Sequence, residues 1–141
     1  HFVCDSGGSI CEVVEPNDPS DPILTALSSQ LLMVWIEGSE AHAEELARRF
    51  DRAPKPMYYQ PNFLENMWVK YRVERGLKEE EVDPDDFVRW TYRQALAHRQ
   101  PRYRAMAEKW GVSVTAEEVA TVRDQADLVA LIGHAIGRKR G

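Results

Sequence analysis

Three short stretches hold groups that could do chemistry. The first is Phe2-Val3-Cys4-Asp5-Ser6-Gly7-Gly8-Ser9. An aspartate that closes an apolar run sits where open α/β sheets bind ligands, at the carboxyl end of a strand. In phosphoryl-transfer sites such an aspartate holds Mg²⁺, usually through water, which makes Asp5 the candidate Mg²⁺ residue. Gly7 and Gly8 carry no Cβ, so their amides could approach an anion closely. Taken alone, the same stretch reads first as a plain turn. The second stretch is residues 48–56, where Arg48, Arg49, Arg52 and Lys55 flank Pro54 and Pro56. A mobile basic segment that closes over phosphates has this make-up, and so does a solvated basic helix end. The third is residues 98–114, where Arg99, Arg102 and Arg104 surround Tyr103. Guanidinium groups capture carboxylates and phosphates through two parallel hydrogen bonds. The plainer reading is a basic helix surface.

Other reactive types carry less. His42, His98 and His134 are too far apart in sequence to suggest a metal site. No nucleophile elbow is present. The acidic residues between Glu79 and Asp86 read as a solvated run before a helix. Cys4 and Cys11 fit neither a CxxC knuckle nor a disulfide framework, and read as small buried hydrophobes in a reducing, cytoplasmic compartment.

The elements that must position these groups follow from pattern. Phe2-Val3-Cys4 reads as a buried strand ended by a glycine turn. Residues 15–22 hold three prolines and form a loop. Asp21 caps a helix over 22–30, with Pro22 at its first position. Leu31 to Ile36 is apolar on both faces, which suits a central parallel strand. Gly38 breaks it, and Ser39 caps a helix to Phe50 without the carboxylate of a full capping box, because His42 stands at that position. Asn62 caps a helix over 63–75 that Gly76 ends. Asp83-Pro84 opens another, with Phe87, Trp90, Thr91 and Ala95 on one face and a junction near Pro101. Gly111 stops it, Val112-Ser113-Val114 is β-prone, and Thr115 with Glu118 is a capping box before a final helical stretch. Arg138-Lys139-Arg140-Gly141 reads as a frayed basic tail, and the four tryptophans as core.

Composition narrows the classes. The 141 residues suit one domain, and 43% hydrophobic with 29% charged residues is ordinary for a globular chain. The longest apolar run is far too short to span a bilayer, and no basic-then-apolar leader opens the chain, so no membrane role is expected. The net charge of −5 disfavours nucleic acid as a partner. Every Lys and Arg lies after residue 47, which leaves room for a local anion site in that part.

Alternating strands and helices argue for an α/β domain with a mostly parallel sheet, and three short strands make that sheet incomplete. The order is telling: a strand ending in Gly-Gly-Ser, then Leu-Leu-Met-Val-Trp-Ile leading through a helix into a Pro-flanked basic loop. Much later come Arg99-x-Pro101-x-Tyr103-x-x-x-Ala107, a Val-x-Val strand and a terminal helix. This order resembles the second half of shikimate kinase and related small P-loop kinases. The resemblance covers roughly 1–56 and 97–136, with 57–96 as a helical insertion. It implies a partial P-loop kinase-like sheet with a helix-rich lid, and an ATP- and Mg²⁺-dependent phosphotransferase or ATPase. Gly7, Gly8 and Arg99 would contact a small polar or anionic acceptor, and Arg52, ahead of Lys55, would be the lid cation. Tyr103 and Ala107 would be structural. No G-x-x-x-x-G-K-[ST] occurs in the sequence. The expectation is therefore the C-terminal portion of such a fold, with the phosphate loop supplied by an N-terminal half or another chain, or association with a second copy. The competing expectation is a non-enzymatic helical interaction module on a degenerate nucleotide-binding scaffold, with the aromatic residues of 57–96 as the partner surface.

Overall fold

The computed structural model describes residues 3–5 and 7–141. Among them the protein is α/β, mostly helical, with one small parallel sheet. Helix α1 (Pro22–Gln30) starts at the predicted cap. The Asp21 carboxylate accepts from Leu24 N at 2.8 Å and from Glu15 N at 2.7 Å, so one side chain caps the helix and folds the Pro-rich loop onto it. Those two backbone donors hold its pKa below the ordinary carboxylate value. Strand β1 is Met33–Glu37 and helix α2 is Glu40–Arg52. Helix α3 (Pro61–Arg75) ends on Gly76, whose φ of 63° is the left-handed cap that glycine takes without strain. Helix α4 (Pro84–Trp110) opens where Asp83 Oδ1 accepts from Asp85 N and Asp86 N. Strand β2 (Gly111–Thr115) follows at once, then α5 (Ala116–Ala120) and α6 (Gln125–Arg140). The Thr115–Glu118 capping box forms as expected.

The chain packs as two compact units, neither continuous in sequence. Unit one comprises His1–Val13 and Glu44–Arg99. Its core is aromatic. Phe50 stacks on Tyr92 at 3.9 Å between ring centroids, and Tyr71 meets Phe87 and Trp90 edge to face, at 5.3 Å each. Trp68 meets Phe87 at 5.0 Å. Unit two comprises Val14–Ala43 and Gln100–Gly141. Here β1 and β2 pair in parallel, from Met33↔Gly111 to Glu37↔Thr115. Val112 and Val114 pack on Ala135 of α6, with Val119, Leu131 and Ile136 around them.

Several expectations change. The strand at 2–4 is absent from its described part: Val3 and Cys4 are exposed coil, and Phe2 lies outside the described residues. Among the described residues the sheet thus has two strands, not three. Cys4 is exposed, while Cys11 is buried as expected. β1 is not a central strand, since β2 is its one partner among the described residues, and Ile36 remains 53% exposed. Two-sided apolarity marked a strand, but it did not fix how many neighbours the strand has. Helix α3 begins at Pro61 and not after Asn62, because proline is preset for the first helical position. Helix α4 runs unbroken through Pro101, which only forgoes the bond to the Ala97 carbonyl. His42 does the work of the absent carboxylate: its Nδ1 accepts from Ser39 N at 3.0 Å and lies 2.8 Å from Ser39 Oγ. The basic tail is not frayed. α6 reaches Arg140, and Lys139 Nζ donates to Ala107 O at 3.3 Å and Gly111 O at 2.6 Å, closing the carboxyl end of α4. Among the described residues no helix is long and apolar enough to cross a membrane.

Gly111 is required by space. A Cβ built there would lie 2.2 Å from Met33 O across the strand pair. Replacing Gly111 with Ala should lower stability by about 1–3 kcal/mol, the usual cost of overpacking a filled site, read as a falling urea midpoint. An unchanged midpoint would show that the pair can open at no cost.

Candidate functional site

The sequence-derived site residues Asp5, Gly7, Gly8, Arg52 and Arg99 all belong to unit one. Asp5 Oδ1 accepts from Gly7 N at 2.9 Å, a side chain folding back on its own turn. Gly7 has φ 65°, which a side chain would strain. Gly8 opens a 3₁₀ turn, Gly8–Glu12, and that turn carries Cys11 and Glu12 to the interior.

Arg99 meets this turn. Its Nε donates to Glu12 Oε1 at 2.6 Å, and its Nη2 donates to Tyr58 O at 2.9 Å. Both members of the pair are buried, at 5% exposed for Arg99 and 3% for Glu12. Gln60 Nε2 donates to Glu12 O at 2.9 Å, and the guanidinium lies 5.6 Å from the ring centroid of Tyr59. One arginine of α4 thus fastens the glycine turn and the 58–60 segment together. Its engagement is what an acceptor would have to displace to be gripped by Arg99. Glu12 Oε2 and Tyr59 OH are both buried without a hydrogen-bond partner among the described residues. Unmet polar atoms in a dry setting are costly, and they remain able to bond a small polar group that enters. Burial pushes the Tyr59 phenol up to about 12, against the pull of Arg99. Tyr92 is raised for the same reason, again opposed by Arg99.

Arg52 is placed differently. It sits in the last turn of α2, exposed, with Nη2 3.4 Å from Glu45 Oε1 and Nε donating to Arg48 O at 3.3 Å. The residues just before it are anchored on α4, since Arg93 bonds both Asp51 and Glu44. The Asp51 bond, with Glu44 behind it, raises the pKa of Arg93. Arg52 therefore stands at the end of a fixed helix with a solvated guanidinium. Among the described residues no three His, Cys, Asp or Glu side chains gather as a metal cage. Asp5 offers one carboxylate, and Mg²⁺ on a phosphate ligand needs one or two, so the residue type fits without forming a site alone. Of the residues the sequence singles out, Arg99 and the Gly7-Gly8 turn are linked through Glu12, and Arg52 is not part of that linkage. Glu12, Tyr59 and Gln60 went unnamed. The signal for Glu12 was a lone charge inside Ile10-Cys11-Glu12-Val13-Val14.

No family model, curated protein or solved structure matches the chain.

Two outcomes follow. Arg99→Met strands a buried carboxylate and should cost about 3–5 kcal/mol in urea unfolding, while Arg99→Met with Glu12→Gln should recover much of the loss. A single variant as stable as the parent would refute the account of this pair. The second concerns alkali. A phenol with pKa about 12 when folded, against 10 as its ordinary value, keeps its proton longer in the native state. The unfolded state then binds fewer protons, so stability falls as pH rises from 10 toward 12. Tyr59→Phe should flatten that decline, and absorbance at the phenolate band should lose its latest-titrating component.

Proposed function

We propose that this chain is the acceptor-binding and lid part of a small-molecule phosphotransferase or ATPase of the shikimate-kinase-like class. The observation that carries the reading is the strand pair. Two of the three strands in the resemblance are parallel neighbours, the one ending in Gly-Gly-Ser is not a strand in its described part, and the far edge of β1 has no partner among the described residues. A strand bringing a phosphate loop has an edge to join there. In this reading ATP and Mg²⁺ supply the phosphoryl group and the charge that offsets its transfer. Asp5 holds the ion through water, and the Gly7-Gly8 turn offers amides to the acceptor. Arg99, occupied by Glu12, sets the position of that turn, and trades Glu12 for the acceptor if it grips directly. Arg52, solvated at the end of α2, swings toward charge that develops on the transferred group.

The test uses a polypeptide that contains both this chain and a G-x-x-x-x-G-K-[ST] loop. Arg52→Ala should lower kcat for ATP turnover by about a thousandfold, the scale of an arginine that stabilises phosphoryl transfer, and leave nucleotide Kd nearly unchanged. Full activity in that variant sinks the reading. Turnover by the 141 residues alone sinks the requirement for a separate phosphate loop.

A second reading, the interaction module, is favoured by α3. Val69 and Val73 lie one turn apart and are 59% and 75% exposed. Trp68 and Trp90 are half-buried in the aromatic core, so the partner surface would be the valine pair and not the tryptophans. Under that reading Arg52→Ala is silent.

A further inference from the structure

Unit two holds seven Lys and Arg residues. Four have carboxylate partners: Arg102 with Glu15 at 3.8 Å, Arg104 with Glu37 at 3.0 Å, Arg123 with Asp127 at 3.0 Å and Arg138 with Glu118 at 2.9 Å. The other three, Lys109, Lys139 and Arg140, line one cleft of about 320 Å³ together with Trp110, Val112 and Ile136. Among the described residues no acidic one lines it.

Two of these cations are held in place by neutral groups. Lys109 Nζ donates to Asn17 Oδ1 at 2.7 Å, and Lys139 Nζ to the carbonyls of Ala107 and Gly111. Neutral acceptors fix an ammonium without cancelling its charge. Trp110 is fixed as well, its Nε1 donating to Pro16 O at 3.1 Å. The carboxyl ends of α4 and α6 each bring about half a negative charge, which leaves roughly two positive charges over. Three cations side by side repel one another, and an anion relieves that repulsion. The rest of the lining, Trp110, Val112 and Ile136, offers apolar surface to whatever carries the anion.

We propose that this cleft binds a small organic phosphate monoester with an apolar or aromatic body. A dianion matches the surplus charge better than a carboxylate does, and the volume suits a single ring system at the small end of ligand pockets. The cleft lies at the amino end of β2, where Gly111 and Val112 line it. Ligands of open parallel sheets sit at the carboxyl ends, so this is a separate site that does not depend on the phosphotransferase reading.

The probe is 1-naphthyl phosphate, titrated by calorimetry into the whole 141-residue chain, with the Trp110 indole N–H followed by NMR. Saturable one-to-one binding that shifts the indole resonance is expected. Lys109→Gln with Arg140→Gln should weaken it by about tenfold or more, because each loses a charge-assisted contact and neither residue anchors a carboxylate. 1-Naphthol, which lacks the charge, and inorganic phosphate, which lacks the ring, should each bind about tenfold or more weaker. Rising salt should weaken binding to the unaltered chain, a readout that needs no variant. Absence of saturation at millimolar probe, equal affinity for 1-naphthol, or indifference to salt overturns the proposal.

Discussion

The bond that unit one depends on joins residues 87 positions apart, Arg99 and Glu12. It ties the described residues among the first thirteen to α4 through the turn at Gly8–Glu12. They contain no described strand, their turn is short, and Val3 and Val13 face solvent. Burying two charges is expensive, and a single ion pair seldom repays the cost in stability alone. What such a pair gives is definition: one guanidinium with fixed geometry accepts few arrangements of the chain around it. Here it also reaches Tyr58 O, so the segment leading into α3 is fixed by the same group. Beside it, Glu12 Oε2 and Tyr59 OH are buried without a hydrogen-bond partner among the described residues.

Unit two is organised by a different constraint, close approach. Gly111 lets β2 start against the Met33 carbonyl, and the five-residue register follows from that contact. The ends of its helices are finished by side chains already in place: Asp21 on α1, Thr115 and Glu118 on α5, Lys139 on α4. Glu118 serves twice, since Thr115 N and Arg138 both bond it, and together they hold its pKa low. Short elements with complete ends can sustain a two-stranded sheet that its own ladder would barely support.

Local signals were legible where one residue type has one mechanical use. Asp21-Pro22, Gly76, Asp83-Pro84 and Thr115-x-x-Glu118 each marked an end that the structure keeps. Signals that depend on distant partners were not. Phe2-Val3-Cys4 looked like a strand because apolar runs usually are, yet its described residues find no neighbour to pair with. Leu31-Leu32 looked like part of β1 and remains exposed outside it. Of the candidate site, the glycine turn and Arg99 were visible as residue types. Their connection was not, because Glu12 stands 87 positions away and only the folded chain brings it to Arg99. The chemistry of Pro101 suggests a junction, and α4 runs through it without the one backbone bond that proline cannot donate.

The path of the chain has a consequence for how the protein is made. It leaves unit one after Val13, returns at Glu44 and leaves again after Arg99. No single cut in the gene separates the two units, so neither can be obtained by truncation. During synthesis the turn at Gly8–Glu12 must wait for Arg99 to emerge, and β1 must wait for β2. Long-range closure of this kind slows folding and leaves unpaired apolar chain in the open meanwhile. Between the release of Ile36 and that of Val114, the apolar residues of β1 have no strand to pair with.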